Sequence, residues 1–96
     1  RALCATFGRA IRDILVNSTK AMTGHAIGAS GGIEAITVAL TLARRVIHRA
    51  VNLETPDPEC DLDFPYENTP MPEGRAALSN SFGFGGHNAT LAFRPV

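Results

Sequence analysis

The sequence contains no tryptophan, a single tyrosine and only two cysteines. Cys4 and Cys60 lie far apart, and neither belongs to a Cys-x-x-Cys pair, so we expect two free thiols in a reducing compartment rather than a disulfide. The three histidines, His25, His48 and His87, are widely separated, and no cysteine or carboxylate stands at ligand spacing from them. The sequence therefore does not predict a metal site.

Neither positive nor negative charge is in excess, because nine basic residues balance nine acidic ones. A neutral chain gives no electrostatic reason to expect nucleic acid or an anionic membrane surface as a partner. The longest nearly apolar run, residues 33–43, is interrupted by one glutamate and two threonines and is too short to span a bilayer. No basic-then-apolar N-terminus predicts a signal peptide. We therefore expect a cytoplasmic protein.

The hydrophobic pattern predicts an α/β chain. In chain order we expect a helix end at 1–12 that closes near Gly8, a short buried strand at 13–17, a long helix at 23–45, a short strand at 46–47, a proline-rich surface connection at 52–74, and an antiparallel strand pair at 75–81 and 88–94 joined by a turn at 82–86. The long helix is apolar almost all round, which is typical of a helix buried on most sides. So short a chain has little material to cover it, and it begins at Arg1 rather than methionine. We therefore expect a piece that packs against a partner or inside a larger protein.

A polar turn with the only lysine, Lys20, and one histidine, His25, leads into this helix. Around the helix start, one face carries almost no side chains because four glycines recur at helical spacing: Gly24, Gly28, Gly31 and Gly32. Each glycine costs about 1 kcal/mol relative to alanine inside a helix. The glycine stripe therefore indicates that another group approaches the backbone closely. A tightly crossing helix would explain the stripe equally well.

Three side chains near the helix start are candidates for chemistry. His25 would stand at the positive N-terminal end of the helix, where a protonated imidazole is disfavoured. A neutral histidine protonated on Nε2 can donate a hydrogen bond to a developing oxyanion; the alternative is a capping or packing histidine. Glu34 lies among apolar neighbours and needs a partner. We hypothesise that Lys20 pairs with Glu34, or that both share a network that orients His25; the alternative is a structural salt bridge.

A further candidate segment, the Phe loop, comprises Phe82, Gly83, Phe84, Gly85 and Gly86. Glycines in such a turn allow positive φ and let a ligand reach backbone N–H groups, which are the ingredients of an oxyanion hole. The pattern is neither a dinucleotide-binding fingerprint nor a phosphate-binding P-loop, because the further glycine and the Gly-Lys-Ser/Thr sequence are both missing. The alternative is a tight hairpin turn with both phenylalanines in the core.

Four segments, in this order, resemble the C-terminal part of β-ketoacyl-acyl-carrier-protein synthases, in particular the type II elongating condensing enzymes of bacterial fatty acid synthesis: residues 18–25, 28–35, 52–63 and 78–86. The resemblance covers nearly the whole chain. It implies a thiolase-like α/β/α/β/α fold, of which residues 1–96 would form the C-terminal portion. It also implies that the nucleophilic cysteine and the first catalytic histidine lie upstream, because neither Cys4 nor Cys60 has the sequence context of the nucleophile.

The same resemblance implies roles for single residues. His25 matches the second catalytic histidine, which hydrogen-bonds the malonyl thioester oxygen as enolate charge develops. Lys20 and Glu34 match family residues of the polar network around the site. Phe84 matches the gating phenylalanine, whose backbone N–H joins the oxyanion hole, and the rest of the Phe loop matches the segment that carries it. His87 stands where many relatives have threonine, and we assign it no catalytic role.

The resemblance finally implies an activity and its partners. The expected reaction is a decarboxylative Claisen condensation of malonyl-acyl carrier protein with an acyl thioester, in fatty acid or polyketide elongation, without an organic cofactor. The implied partners are acyl carrier protein, the remainder of the same chain, and a second copy in a homodimer. A different hypothesis is a non-catalytic chain-length-factor-like subunit in a heterodimer with an active ketosynthase, and a self-standing binding module is a third. On the first hypothesis the isolated 96 residues are expected to be inactive.

Overall fold

A computed structural model describes residues 1–95. In chain order its elements are α1 (Ala2–Phe7), a 3₁₀ turn (Gly8–Asp13), α2 (Lys20–Thr23), a 3₁₀ turn (Ile27–Ala29), α3 (Ser30–Arg44), β1 (Val46–Ile47), β2 (Thr69–Pro70), β3 (Ala77–Phe82), a 3₁₀ turn (Phe84–Gly86) and β4 (Asn88–Phe93). Among these residues the strands form two antiparallel pairs, β1 with β2 and β3 with β4. The combination agrees with the expected α/β class.

The N-terminal helix ends where the sequence predicts. Gly8 caps α1 with a φ of 54°, and its N–H donates to the carbonyl oxygen of Cys4; glycine adopts this conformation at little cost. The strand predicted over residues 13–17 is wrong, because this segment forms only one parallel bridge, between Leu15 and Asp63. Within residues 1–95 no longer strand lies beside it, and its apolar side chains are only half-buried.

The long helix begins later than the predicted residue 23. Helix α2 ends at Thr23, the next residue, Gly24, adopts a φ of 73°, and Ile27 adopts a φ of 47°. Both values lie outside the right-handed helical region, so no continuous helix can pass through this segment. The continuous helix α3 starts only at Ser30. Residues 17–29, which contain α2 and the following 3₁₀ turn, are therefore a separate unit. We call this unit the Lys/His turn.

Helix α3 ends as predicted, at Arg44, with Arg45 in the left-handed conformation (φ 53°). Its predicted burial is not found within the described residues: Ser30 is the only buried residue of the helix, while Ile36 is 64% exposed and Leu40 is 46% exposed. One side of α3 lies on β3 and β4. The expectation that so short a chain cannot cover an apolar helix is therefore correct.

The predicted strand pair is present, and each residue of β3 lies opposite a residue of β4. Helix α3 packs on β3, and a Cβ atom built at Gly31 would lie 3.4 Å from Ser81 Oγ. This is an ordinary contact distance, so the close approach that the glycine stripe indicates is not confirmed at Gly31 within the described residues. At Gly24, Gly28 and Gly32 an added Cβ would meet no described atom within 4 Å.

The proline-rich connection, residues 52–74, runs over the surface as predicted. Two contacts that the sequence did not indicate hold the connection in place. Met71 is 9% exposed, and its N–H donates to the carbonyl oxygen of Arg45 at 2.9 Å. Pro65 is buried, and its carbonyl oxygen accepts a hydrogen bond from the N–H of Ala50 at 2.6 Å. Burial of these two side chains fixes an otherwise irregular segment.

Few apolar side chains are fully buried. Ile11 (5% exposed) and Met71 (9% exposed) are the buried hydrophobic residues of the described part of the chain. Cys4 and Cys60 are both exposed and both free, as the sequence predicts.

Candidate active site

His25 lies between α2 and the 3₁₀ turn that precedes α3, and its ring is held through Nδ1. The backbone N–H of Ile27 donates to His25 Nδ1 at 3.0 Å, and the hydroxyl oxygen of Ser30 lies 3.2 Å from the same atom. A backbone N–H can only donate, so Nδ1 is an acceptor and carries no proton. In the neutral ring the proton is therefore on Nε2.

This tautomer leaves Nε2–H of His25 as a hydrogen-bond donor on an exposed residue. A fixed donor of this kind stabilises negative charge that develops on a neighbouring oxygen. The sequence predicts a neutral ring, because the positive end of a helix disfavours a protonated imidazole, but it does not predict which nitrogen carries the proton. In the structure the helix begins only at Ser30, and the N–H of Ile27 selects the tautomer.

Lys20 and Glu34 form the predicted pair. Lys20 Nζ donates to Glu34 Oε1, which joins α2 to α3. The Glu34 side chain is 14% exposed and that of Lys20 is 37% exposed. The carboxylate has therefore lost most of its water and depends on the lysine for compensation. The described hydrogen bonds of the His25 ring run to Ile27 and Ser30 instead, so the pair fixes the two helices that flank His25 without bonding to its ring.

The Phe loop connects β3 to β4. The N–H of Gly83 donates to the carbonyl oxygen of His87 at 2.6 Å, which closes the loop. Gly85 and Gly86 have φ values of 77° and 81°, the left-handed conformation that the sequence predicts for its glycines. Phe84 is 97% exposed. The alternative that places the loop phenylalanines in the core therefore does not hold within the described residues.

His25 and the Phe loop lie at the same end of α3. Ser30 is the first residue of α3 and contacts His25. The next residue, Gly31, lies against Ser81, which directly precedes the Phe loop. The structure thus brings together an exposed N–H donor and an exposed glycine-rich backbone that are far apart in sequence.

Two contacts of this region were missed in the sequence. One is the Ser30 hydroxyl on His25. The other is a clasp in which Asn17 Nδ2 donates to the carbonyl oxygen of His48, while Asn17 Oδ1 accepts from the N–H of Ser18 at 2.8 Å. Asparagine is common in turns, but no local signal indicates a partner so far along the chain. The clasp ties the start of the Lys/His turn to the residue after β1.

An ion pair between Arg12 and Asp61 shifts the pKa values of both its members. Arg12 donates to both carboxylate oxygens of Asp61, at 2.7 Å for Nη1 and Oδ1. This hydrogen bonding, with the attraction between the two charges, lowers the pKa of Asp61 and raises the pKa of Arg12. Both side chains are well exposed, so the pair is a surface contact.

Two kinds of feature are absent from residues 1–95. No three histidine, cysteine, aspartate or glutamate side chains there converge as a metal site requires. No helix in that part of the chain is long and apolar enough to cross a bilayer.

Comparison with known proteins identifies the family. Residues 1–54, more than half of the chain, match the model of the beta-ketoacyl synthase C-terminal domain. The chain belongs to this family. The resemblance seen in the sequence is confirmed, and so is the fold class that it implies.

Two relatives align with almost the whole length of this chain. It is 50% identical to 3-oxoacyl-[acyl-carrier-protein] synthase 2 of Synechocystis sp. and 49% identical to the protein of that name from Staphylococcus aureus. Each alignment covers 98% of this chain and 23% of the relative. The chain thus spans under a quarter of the length of these relatives.

A solved structure gives the same result for the fold. It is described as a type II PKS acyl-carrier protein in complex with its ketosynthase bound to the hexaketide. One of its chains superposes with a TM-score of 0.92 at 36% identity, over 99% of this chain and 23% of that chain. At this similarity the described residues have the fold of the matching part of that chain.

Proposed function

We propose that the full-length protein is a β-ketoacyl-acyl-carrier-protein synthase and that residues 1–96 supply part of its condensing site. The observation that carries the proposal is the hydrogen bond from the N–H of Ile27 to His25 Nδ1, which leaves Nε2–H as an exposed donor. Such a donor binds an enolate oxygen more tightly than a neutral thioester oxygen, because the bond strengthens as charge develops. Family membership supports a malonyl thioester as the source of that enolate.

The proposed reaction has two stages. An acyl group first passes from acyl carrier protein to a cysteine thiolate, and the carrier thiol leaves. Malonyl-acyl carrier protein then loses CO₂, and the electron pair of the broken C–C bond moves into the thioester to give an enolate, whose oxygen accepts the bond from His25 Nε2–H. The enolate carbon attacks the acyl-cysteine carbonyl, and the C–S bond breaks. The products are a 3-oxoacyl-acyl carrier protein, longer by two carbons, and the free cysteine thiolate.

The remaining predicted residues take supporting roles in this proposal. Lys20 and Glu34 hold α2 against α3 and so keep the backbone on both sides of His25 in place. The backbone N–H of Phe84 binds the oxyanion that forms when the acyl carbonyl is attacked. The exposure of Phe84 and the positive φ of Gly85 support a loop that can present its backbone to a ligand.

The proposed site needs groups from outside residues 1–96. Cys4 lies in α1 and Cys60 in the proline-rich connection, whereas the described hydrogen bonds of the His25 ring run to Ile27 and Ser30. We therefore assign the nucleophile and a second histidine to the remainder of the full-length chain. Acyl carrier protein is the proposed donor of both thioesters, supported by the solved complex that contains such a carrier. A second copy in a homodimer is proposed from the family resemblance, and the reaction as written uses no organic cofactor.

A chain-length-factor-like subunit of a type II polyketide synthase is the second candidate. The similarity to a chain of a type II polyketide complex favours it. However, that similarity is 36% in sequence identity, against 50% and 49% for the relatives named 3-oxoacyl-[acyl-carrier-protein] synthase 2. The higher identity supports the condensing enzyme.

The proposal is tested by product analysis with the purified full-length protein. The protein is incubated with an acyl-acyl carrier protein and malonyl-acyl carrier protein, and the carrier proteins are analysed by intact mass spectrometry. We expect a 3-oxoacyl-acyl carrier protein and one CO₂ per product. The control is the same mixture without the acyl donor, which separates condensation from decarboxylation alone.

Two outcomes would contradict this assignment. If the product forms only after an active ketosynthase is added, the protein is the partner subunit. If neither acyl transfer nor decarboxylation occurs under any of these conditions, the condensing function is wrong.

A further inference from the structure

We infer that Ser30 is a positioning residue for the condensation: its hydroxyl donates to His25 Nδ1 and thereby fixes the plane of the ring that presents Nε2–H. The inference deepens the proposed function and rests on it. It concerns a side chain that contacts no reacting atom and acts only through His25.

The direction of this hydrogen bond follows from the groups present. His25 Nδ1 lies 3.0 Å from the N–H of Ile27 and 3.2 Å from Ser30 Oγ. The amide must donate, so the Nδ1 lone pair faces both groups. The Ser30 hydroxyl can then bond to Nδ1 only by donating its own proton. Both contacts therefore favour the tautomer with the proton on Nε2.

The two donors differ in how exposed they are to solvent. Ile27 has a positive φ of 47° and is 75% exposed, so the first donor sits on an exposed 3₁₀ turn in an unusual backbone conformation. Ser30 is 8% exposed and begins the longest helix of the described chain. The serine hydroxyl is therefore the buried one of the two donors, and the amide of Ile27 is the one that solvent can reach.

A single donor on Nδ1 leaves the imidazole some freedom to rotate about its Cβ–Cγ bond. A second donor on the same atom, from a different direction, removes that freedom. Ser30 also precedes Gly31, which lies against Ser81 of β3. The hydroxyl thus orients Nε2–H relative to the strand that leads into the Phe loop. Alignment of a donor with the developing charge is what the condensation rate depends on.

The test uses three variants of the full-length protein in the condensation assay: Ser30→Ala, Ser30→Thr and Ser79→Ala. Ser30→Ala should lower kcat about three- to tenfold, the effect of one neutral hydrogen bond. The KM for the malonyl carrier should stay unchanged, because the bond to the enolate strengthens only in the transition state. Ser30→Thr keeps the hydroxyl and should restore at least half of the activity. Ser79 is also 8% exposed but lies on β3, so Ser79→Ala should stay within about twofold of wild type.

A second readout does not depend on activity. In protein labelled with ¹⁵N-histidine, the His25 resonances, assigned with a His25→Gln variant, report the tautomer and the hydrogen bond. We expect Nδ1 of wild type to be unprotonated and its signal to move to higher frequency in Ser30→Ala. The signal should return in Ser30→Thr and should not move in Ser79→Ala.

The two readouts separate the possible failures. If the Nδ1 signal is the same in wild type and Ser30→Ala, the inference about Ser30 is wrong, whatever the activities are. It is also wrong if kcat falls equally in Ser30→Ala and Ser79→Ala, because the effect is then general to buried serines. If wild type shows no condensation but the Nδ1 signal moves as expected, the contact is real, whereas the proposed function and the catalytic part of the inference are wrong.

Discussion

The Lys/His turn and the proline-rich connection are both irregular, yet different forces hold them in place. Polar side chains hold the Lys/His turn: Lys20 bonds to Glu34, and Ser30 contacts His25. Burial of apolar side chains holds the connection, chiefly at Met71, which is 9% exposed. Side-chain hydrogen bonds therefore fix the first segment, whereas buried side chains and backbone hydrogen bonds, such as that from the N–H of Met71 to the carbonyl oxygen of Arg45, fix the second.

Two of the three ion pairs of the described residues show what this difference means; the third joins Arg45 to Glu73. In the Lys/His turn the Glu34 side chain is 14% exposed, whereas Asp61 of the connection is 69% exposed and pairs with Arg12. A carboxylate withdrawn from water depends on its cation, while an exposed one is well solvated without it. Polar contacts therefore determine geometry around His25, and the connection can lose the exposed Arg12–Asp61 pair with little consequence.

The largest effect on stability should come from the apolar contact of the connection. Met71→Ala removes most of a buried side chain and should lower the free energy of unfolding of the full-length protein by about 2–4 kcal/mol. Met22 is 51% exposed, so Met22→Ala, the matched control, should change it by less than about 0.5 kcal/mol. Denaturant titration measures both. Equal effects of the two substitutions would remove the distinction between the regions.

Breaking the ion pair of the Lys/His turn should have the next largest effect. Lys20→Met leaves the Glu34 carboxylate without its cation and should cost about 1–3 kcal/mol, less than a fully buried pair because Lys20 is 37% exposed. Adding Glu34→Gln to Lys20→Met should recover part of the loss. A double-mutant cycle by denaturant titration gives the coupling, and a coupling near zero would mean that the pair does not hold the Lys/His turn.

Substitutions at two glycines, one in the Phe loop and one in α3, should have opposite effects on stability. Gly85 has a φ of 77°, so Gly85→Ala should lower the free energy of unfolding by roughly 1–2 kcal/mol. Gly32 is helical and an added Cβ meets no described atom within 4 Å, so Gly32→Ala should raise it by roughly 0.5–1 kcal/mol. Thermal unfolding compares the two variants. A destabilised Gly32→Ala would show that another segment packs on that face of α3.

The smallest effect on stability should come from breaking the exposed ion pair between Arg12 and Asp61. The hydrogen bond to Arg12 lowers the pKa of Asp61, so its small contribution to stability is complete above the ordinary aspartate pKa of about 4. The contribution is lost as pH falls through the lowered value. Wild type and Arg12→Gln should therefore differ slightly at pH 7 and converge at lower pH, and added salt should also reduce the difference. A difference that grows on acidification would contradict the assignment.

Local patterns in the sequence were enough to predict part of the fold. The period-two alternation around the Phe loop predicts β3 and β4, and the arginines at 44 and 45 mark the end of α3. An isolated glutamate among apolar residues requires a partner, and the only lysine of the chain supplies it. These features are set by residues close to one another or by a single possible partner.

Other features depend on contacts that no local pattern contains. The helix starts late because Gly24 and Ile27 adopt positive φ, and nothing in an apolar helical period excludes Ile27 from the helix. Strand β2 exists only because it pairs with β1 across the connection. The segment 13–17 has strand-like composition but lacks a strand beside it in the described residues. The Ser30 hydroxyl reaches His25 only because of that late start.

The most direct test of the central claim, that His25 Nε2–H stabilises the enolate, is the kinetics of His25→Ala in the full-length protein. We expect kcat for condensation to fall about 10²- to 10³-fold, while transfer of the acyl group from its carrier to the protein continues at nearly the wild-type rate. Acylated protein should then accumulate, which intact mass spectrometry detects. A variant that condenses at the wild-type rate, or one that loses acyl transfer and condensation equally, would contradict this role of His25.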